Sequence, residues 1–469
     1  MNWEQLLSTK RNREVGVNTQ PSADLRSEFE KDYHRIIGSA SFRRLQDKTQ
    51  VFPLDKSDFI RTRLTHSLEV SSFGKSLGQN IGEYLLTYRK DPNFNWKRKE
   101  EICSILQCAG LIHDIGNPPF GHFGEIIIRE WFKRNIPEMK FKGEKVEELL
   151  SEQMKQDLYH FEGNAQALRL VSKLHYLVDE NGMNLTYALL NTIVKYPVSS
   201  VETDKNSGNI KDKKMGFYYA DQEIYEAIAK ETCTMGKRHP LTFILEAADD
   251  IAYNTADVED GFVKGFISYN ELCEELRGLQ KLEPNNPFNA LEKLERKYQS
   301  GVKRGVGNPE EYAVKNWIVQ VQGFLINCAT YGFTSNYEAI MDGTYGKDIF
   351  HGTYGQNLIH LLGDMAHRRV FSTPAIHKME MQEAVILNFL MNKFVKAIIY
   401  YDTGVELGEI DRRLVSFISD NYKSAYHTQA EGKSEGEKLY LRLLLVTDYI
   451  CGMTDSYAKR LYQEMNAII

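Results

Sequence analysis

The stretch Ile112-His113-Asp114-Ile115-Gly116-Asn117-Pro118-Pro119-Phe120-Gly121-His122-Phe123-Gly124-Glu125 decides how this chain is read. It closes an apolar helix predicted over 102–112, and Gly116 with the pair Pro118-Pro119 stops that helix and turns the chain. Placing His113 and Asp114 at a buried helix end is costly unless each is paired or bound to a metal. Beyond the turn, His122 and Glu125 stand three residues apart at the start of the next helix, where side chains at that spacing share a face.

Working outward, apolar residues recur at helical spacing over 67–86, 100–112, 123–135, 163–178, 239–256 and 381–400. No segment alternates with period two for long enough to build a sheet, Pro is scarce at 12, and no internal repeat is present. The expected fold is all-α. Two stretches read as loops: 197–214, ending in Lys211, Lys213 and Lys214, and the polar run 427–437 with Gly432 and Gly436.

The chain has 469 residues, so the usual ~150 residues per domain gives about three, although helical proteins grow readily on one core. Its 58 Lys and Arg against 64 Asp and Glu leave a net charge of −6, which excludes a global basic field for holding polyanions. Its most apolar stretch, 384–401, is broken by Asn388, Asn392, Lys393 and Lys396, so no membrane span is expected. The six Cys form no CxxC pair and the start lacks a basic-then-apolar leader; reduced thiols in a cytoplasm are expected.

Three further residues can complete a cation site with His113 and Asp114. They are His66, in Arg63-Leu64-Thr65-His66-Ser67-Leu68-Glu69, and the adjacent carboxylates Asp249 and Asp250. Two imidazoles and two carboxylates make a mixed nitrogen and oxygen donor set. It suits a divalent ion that keeps open positions for water or substrate: magnesium, manganese or another first-row divalent ion.

His, then His-Asp, then Asp, in this order and at about these intervals, resembles the HD-domain superfamily of metal-dependent phosphohydrolases. More specifically, the chain resembles the bacterial dGTPase family of HD-domain deoxynucleoside triphosphate triphosphohydrolases. The match spans about 43–260 and resumes near Met453-Thr454-Asp455. It rests on Arg43-Arg44-Leu45-Gln46-Asp47-Lys48-Thr49-Gln50-Val51, the His66 and His113 segments, His160-Phe161-Glu162-Gly163-Asn164-Ala165-Gln166, Lys195-Tyr196-Pro197 and 246–253.

The resemblance implies an HD-domain helical core over 1–300. Additional C-terminal helices over 301–469 would pack on it, close the pocket and contribute to assembly. It implies metal ligands at His66, His113, Asp114 and Asp249. Asp250 competes for the fourth place, but Tyr253 and Asp257 stand at the family's pocket offsets from Asp249. His122 is implied as catalytic acid/base with Glu125 as its carboxylate partner. Arg63 and Lys195, with a lysine of 211–214, would meet phosphate oxygens, and His160 and Asn164 would line the phosphate channel. Gln50 would meet the sugar 3′-hydroxyl, and Tyr253 would pack on the C2′ edge.

The activity so implied is hydrolysis of a dNTP, dGTP foremost, to deoxynucleoside and tripolyphosphate in control of dNTP pools. A hexameric or tetrameric homo-oligomer is implied as well. Other HD chemistries, a phosphodiesterase or a guanosine tetraphosphate hydrolase, stay open, as does a nucleotide or single-stranded DNA sensor. A regulatory nucleotide or single-stranded DNA also stays open as a partner beside catalysis. The region after Asp348, with His351, His360 and Asp364-Met365-Ala366-His367-Arg368-Arg369, yields no base-reading residue.

Overall fold

The computed structural model describes residues 1–13, 24–52, 61–175 and 179–468. Among them the chain is all-α, and its one sheet is a two-stranded antiparallel hairpin, Lys140–Phe141 with Glu144–Lys145. No helix among the described residues is long and apolar enough to cross a membrane.

The elements that carry the site are α1 (Arg63–Tyr84), α2 (Trp96–Ile112), α3 (Gly121–Asn135), α4 (Glu152–Tyr159), α5 (Gly163–Arg169), α6 (Pro240–Val263), α7 (Pro309–Ser335), α8 (Pro374–Ile398), α9 (Glu435–Cys451) and α10 (Asp455–Met465). Local chemistry sets their starts. Thr62 caps α1 by accepting from the Thr65 amide, Asn95 caps α2, and His239 caps α6, whose Pro240 needs no amide partner.

Helices α1 and α2 lie side by side because small residues let the backbones meet. A Cβ on Gly110 would stand 2.5 Å from the Ser71 Cα. Helix α6 packs across both, and α7 covers α1 and α6 from outside. One continuous apolar core runs from Trp3 to Leu461. At its centre lies α9, buried at every position from Leu439 to Cys451, as expected of a helix apolar nearly all round.

The polar residues inside this core are paired across elements. Arg169 on α5 reaches Asp448 on α9 at 2.8 Å and Asp221 at 3.3 Å, while Gln166 donates to Asp448 at 2.8 Å. The C-terminal helices also fasten the turn after α2. Lys48 donates to the carbonyls of Asn117 (2.5 Å) and Cys451 (2.6 Å), and Asp455, at the start of α10, accepts from the Phe120 amide (2.9 Å) and the Thr49 amide (2.8 Å).

The polar run 427–437 departs from the loop reading. Helix continues through Ala430 and resumes at Glu435, because Ser434 and Glu437 form a reciprocal capping box that starts α9 among charged residues. The stretch 197–214 carries only the short turn Ile210–Asp212. Helix after Gly163 keeps regular α geometry to Arg169 and widens over Leu170–Leu174; the expected continuation over 176–178 lies outside the described residues.

Candidate active site

Three elements bring one atom each to a common point. His66 stands in the first turns of α1, His113 just past the end of α2 and Asp249 midway along α6. Their ligand atoms all lie within 4.8 Å of one another. Asp249 Oδ1 is 3.2 Å from His66 Nε2 and 3.4 Å from His113 Nε2. The two imidazoles meet edge to face at 5.3 Å.

The surroundings prepare this cluster for a cation. His113 Nδ1 lies 2.8 Å from the Gly110 carbonyl, so Nδ1 carries the hydrogen and Nε2 presents its lone pair inward. That Nε2 is buried and has no hydrogen-bond partner among the described residues. Burial works against ionisation of Asp249, yet the Lys195 ammonium, 2.8 Å away, holds its carboxyl well below the usual carboxylate range. Two imidazoles and an ionised carboxylate with an orphaned nitrogen fit a divalent metal.

Asp114 stands beside this group. Its Oδ2 pairs with Arg63 and lies 3.6 Å from His113 Nε2, and its Oδ1 accepts from the Asn117 side-chain Nδ2 at 2.9 Å. Asp250 is outside the three-residue cluster and stands between this cavity and an adjoining acidic chamber with Glu246, Asp348 and Asp364, lining both. Burial there, with Glu246 and Asp249 nearby, pushes the Asp250 carboxyl well above its ordinary value.

His66 and Asp249 of this cluster, with Asp114 beside them, line a cavity of about 490 Å³. His122 lines it, with its side chain 70% exposed, and its Nδ1 lies 3.2 Å from Glu125 Oε2. Glu125 is buried beneath. Its other oxygen accepts from the Gly163 amide at 2.8 Å, and although burial opposes ionisation, His122 and Arg129 hold its carboxyl below its ordinary value. Arg63, Lys195, Lys213, Lys214 and Asn164 line the same cavity, as do Gln50 and Tyr253. Tyr253 lies parallel to Phe371 with ring centres 6.3 Å apart.

Two expected residues sit elsewhere. Asp257 is buried one turn beyond Tyr253 and does not line the cavity, and burial pushes its carboxyl well above the usual range. His160 caps the end of α4, exposed and outside the cavity wall.

Conversely, the sequence reading missed Glu383 and Glu380 of α8, which line the cavity together with Phe371 and Ile376. Glu383 is 2% exposed, and neither carboxyl oxygen has a hydrogen-bond partner among the described residues. The only local sign was a carboxylate inside an apolar helical stripe. It also missed Arg129 and Glu162, whose pairing needs α3 and the segment before α5 in register.

Residues 63–230 match the family model described as HD domain. Over its whole length the chain is 47% identical to the deoxyguanosinetriphosphate triphosphohydrolase-like protein of Listeria monocytogenes, with 100% of each chain covered. It is 33% identical to the Pseudomonas aeruginosa protein of the same name, over 99% of this chain and 98% of that one. With the deoxyguanosinetriphosphate triphosphohydrolase of Yersinia enterocolitica it shares 31% identity over 100% of this chain and 99% of the other. A helical core that gathers His66, His113 and Asp249 at one cavity, with relatives matched end to end, makes this chain a member of the HD-domain deoxyguanosinetriphosphate triphosphohydrolase family.

Proposed function

We propose that the protein is a metal-dependent dNTP triphosphohydrolase that takes dGTP foremost and releases deoxyguanosine and intact tripolyphosphate. The observation that carries this reading is one cavity combining a cation cluster, four Lys and Arg side chains and a His–Glu pair. His66, His113 and Asp249 hold the ion, with Asp114 beside them. Magnesium, manganese or another first-row divalent ion supplies Lewis acidity to the phosphoryl group and the attacking water.

The remaining work belongs to the side chains. Arg63, Lys195, Lys213 and Lys214 neutralise the triphosphate, and Asn164 donates to it. His122, oriented by Glu125, moves a proton at the leaving 5′-oxygen. Gln50 meets the 3′-hydroxyl, and Tyr253 fills the space a ribose 2′-hydroxyl would need. In the cavity wall, the Glu383 carboxyl, without a hydrogen-bond partner among the described residues, suits a base edge rich in N–H donors, which guanine presents at N1 and N2. The reading also includes control of dNTP pools in the cytoplasm and a hexameric or tetrameric assembly.

Two substitutions test the assignment. His66→Ala should lose bound metal, measured by plasma mass spectrometry, together with turnover. His122→Ala should keep the metal while turnover falls at least about a hundredfold. Full turnover in either variant refutes the role given to that residue.

A further inference from the structure

Lys214 and His122 both line the cavity, and they are also the two ends of one ion-pair chain. Lys214 Nζ donates to Glu162 Oε1 at 3.0 Å. Glu162 Oε2 accepts from Arg129 Nη2 at 3.0 Å, and the same nitrogen donates to Glu125 Oε2 at 3.0 Å. That oxygen is the one 3.2 Å from His122 Nδ1. The middle of the chain is fixed. Arg129 Nε donates to the Phe161 carbonyl at 2.5 Å, the Gly163 amide holds Glu125 Oε1, and Asn164 donates to Glu162 Oε1 at 2.8 Å. Both carboxylates are buried, so their charges act on one another with little screening.

We propose that Arg129 and Glu162 are positioning residues that couple capture of the substrate's phosphates by Lys214 to the hold of His122 on its proton. The inference rests on the functional reading in which Lys214 meets phosphate and His122 moves the proton. Arg129 Nη2 is shared between two carboxylates, so strengthening one contact weakens the other. In the free protein Lys214 satisfies part of Glu162, and Arg129 remains available to Glu125. When a polyphosphate draws Lys214 away, Glu162 claims more of Arg129. Glu125 then carries less compensated charge, and His122 binds its proton more tightly. A bound triphosphate thereby arms its own acid. The charged groups along this route are Glu125 and Arg129 on the helix of His122, Glu162 across from it and Lys214 from the loop, and the same cavity also carries Arg63, Asp114, Lys195, Lys213, Glu246, Asp249, Asp250, Glu380 and Glu383 with the imidazoles of His66 and His367. The Cys451 thiol below Glu125 is pushed up by burial and stays neutral.

The test is the pH dependence of kcat/KM, which reports the free enzyme, against that of kcat, which reports the complex. The informative limb is the one that disappears in His122→Ala. In the wild type its midpoint should lie about one pH unit higher in kcat than in kcat/KM. Lys214→Met should raise the kcat/KM midpoint toward the kcat value, because that variant is permanently in the released arrangement. Glu162→Gln should reduce the gap by at least about half, leaving only the direct pull of the polyanion on His122. Lys214 sits on a loop, so its replacement keeps the test intact even if Glu162→Gln fails to fold. A full gap in Lys214→Met, with only KM changed, overturns the coupling and leaves the functional reading standing. A limb that survives His122→Ala overturns the functional reading and the coupling with it.

Discussion

Glu383→Gln isolates the cost of a buried carboxyl in the cavity wall that has no hydrogen-bond partner among the described residues. Burial, with Asp455 and Glu380 nearby, pushes the Glu383 carboxyl up to about 8 from an ordinary 4.5. Below pH 4.5 the group is protonated folded or unfolded and costs nothing through linkage. Between 4.5 and 8 the unfolded chain releases the proton while the folded one keeps it, so each pH unit removes about 1.4 kcal/mol of stability. The loss reaches about 3 kcal/mol near pH 7 and levels off above pH 8. Gln does not titrate. The variant's advantage over wild type should therefore be under about 1 kcal/mol at pH 5 and about 4 kcal/mol at pH 7.5, read from urea midpoints without nucleotide. The same change should narrow the preference for dGTP over dATP, since guanine's N–H donors favour an ionised carboxylate at this position and Gln cannot ionise. A stability difference that does not grow with pH would refute the reasoning.

Other perturbations probe the frame around the site. A Cβ at Gly116 would stand 2.2 Å from the Ala167 amide nitrogen and 2.3 Å from the Gly163 carbonyl, both backbone. Gly116→Ala should accordingly lower the melting temperature by about 1–3 °C and reduce metal retention, followed by circular dichroism and metal analysis. Arg169→Met strands Asp448 and Asp221 without their guanidinium and should cost about 3–5 kcal/mol in urea unfolding, with partial recovery on adding Asp448→Leu. A Tyr253→Ala variant should accept GTP more nearly as well as dGTP; an unaltered ratio in competition assays would remove Tyr253 from sugar selection.

The extent to which this was legible in sequence follows from how far apart the partners lie. His113-Asp114 and His122 with Glu125 share one short stretch, and their turn chemistry announces them. The choice between Asp249 and Asp250 is different, since adjacent helical residues point about 100° apart and only the packing of α6 on α1 and α2 decides which faces the imidazoles. Glu383 was invisible because the sequence shows only an acidic residue in an apolar stripe, and its isolation depends on α8 meeting the cavity. His160, inside a recognised motif, sits on the outer side of the helix end while its neighbours Glu162 and Asn164 turn inward. The capping box at Ser434 overrode the polar composition that suggested a loop over 427–437.

Cleavage between nucleoside and α-phosphate is distinguished from every other phosphohydrolase reaction by its products. Purified protein is incubated separately with each of the four dNTPs and with GTP, with and without divalent metal, and the mixtures are resolved by anion-exchange chromatography. Metal-dependent formation of deoxyguanosine and equimolar intact tripolyphosphate is expected from dGTP, with GTP turned over far more slowly. Release of orthophosphate or pyrophosphate with a deoxynucleoside di- or monophosphate, or no turnover of any dNTP with metal present, would contradict the proposed cleavage.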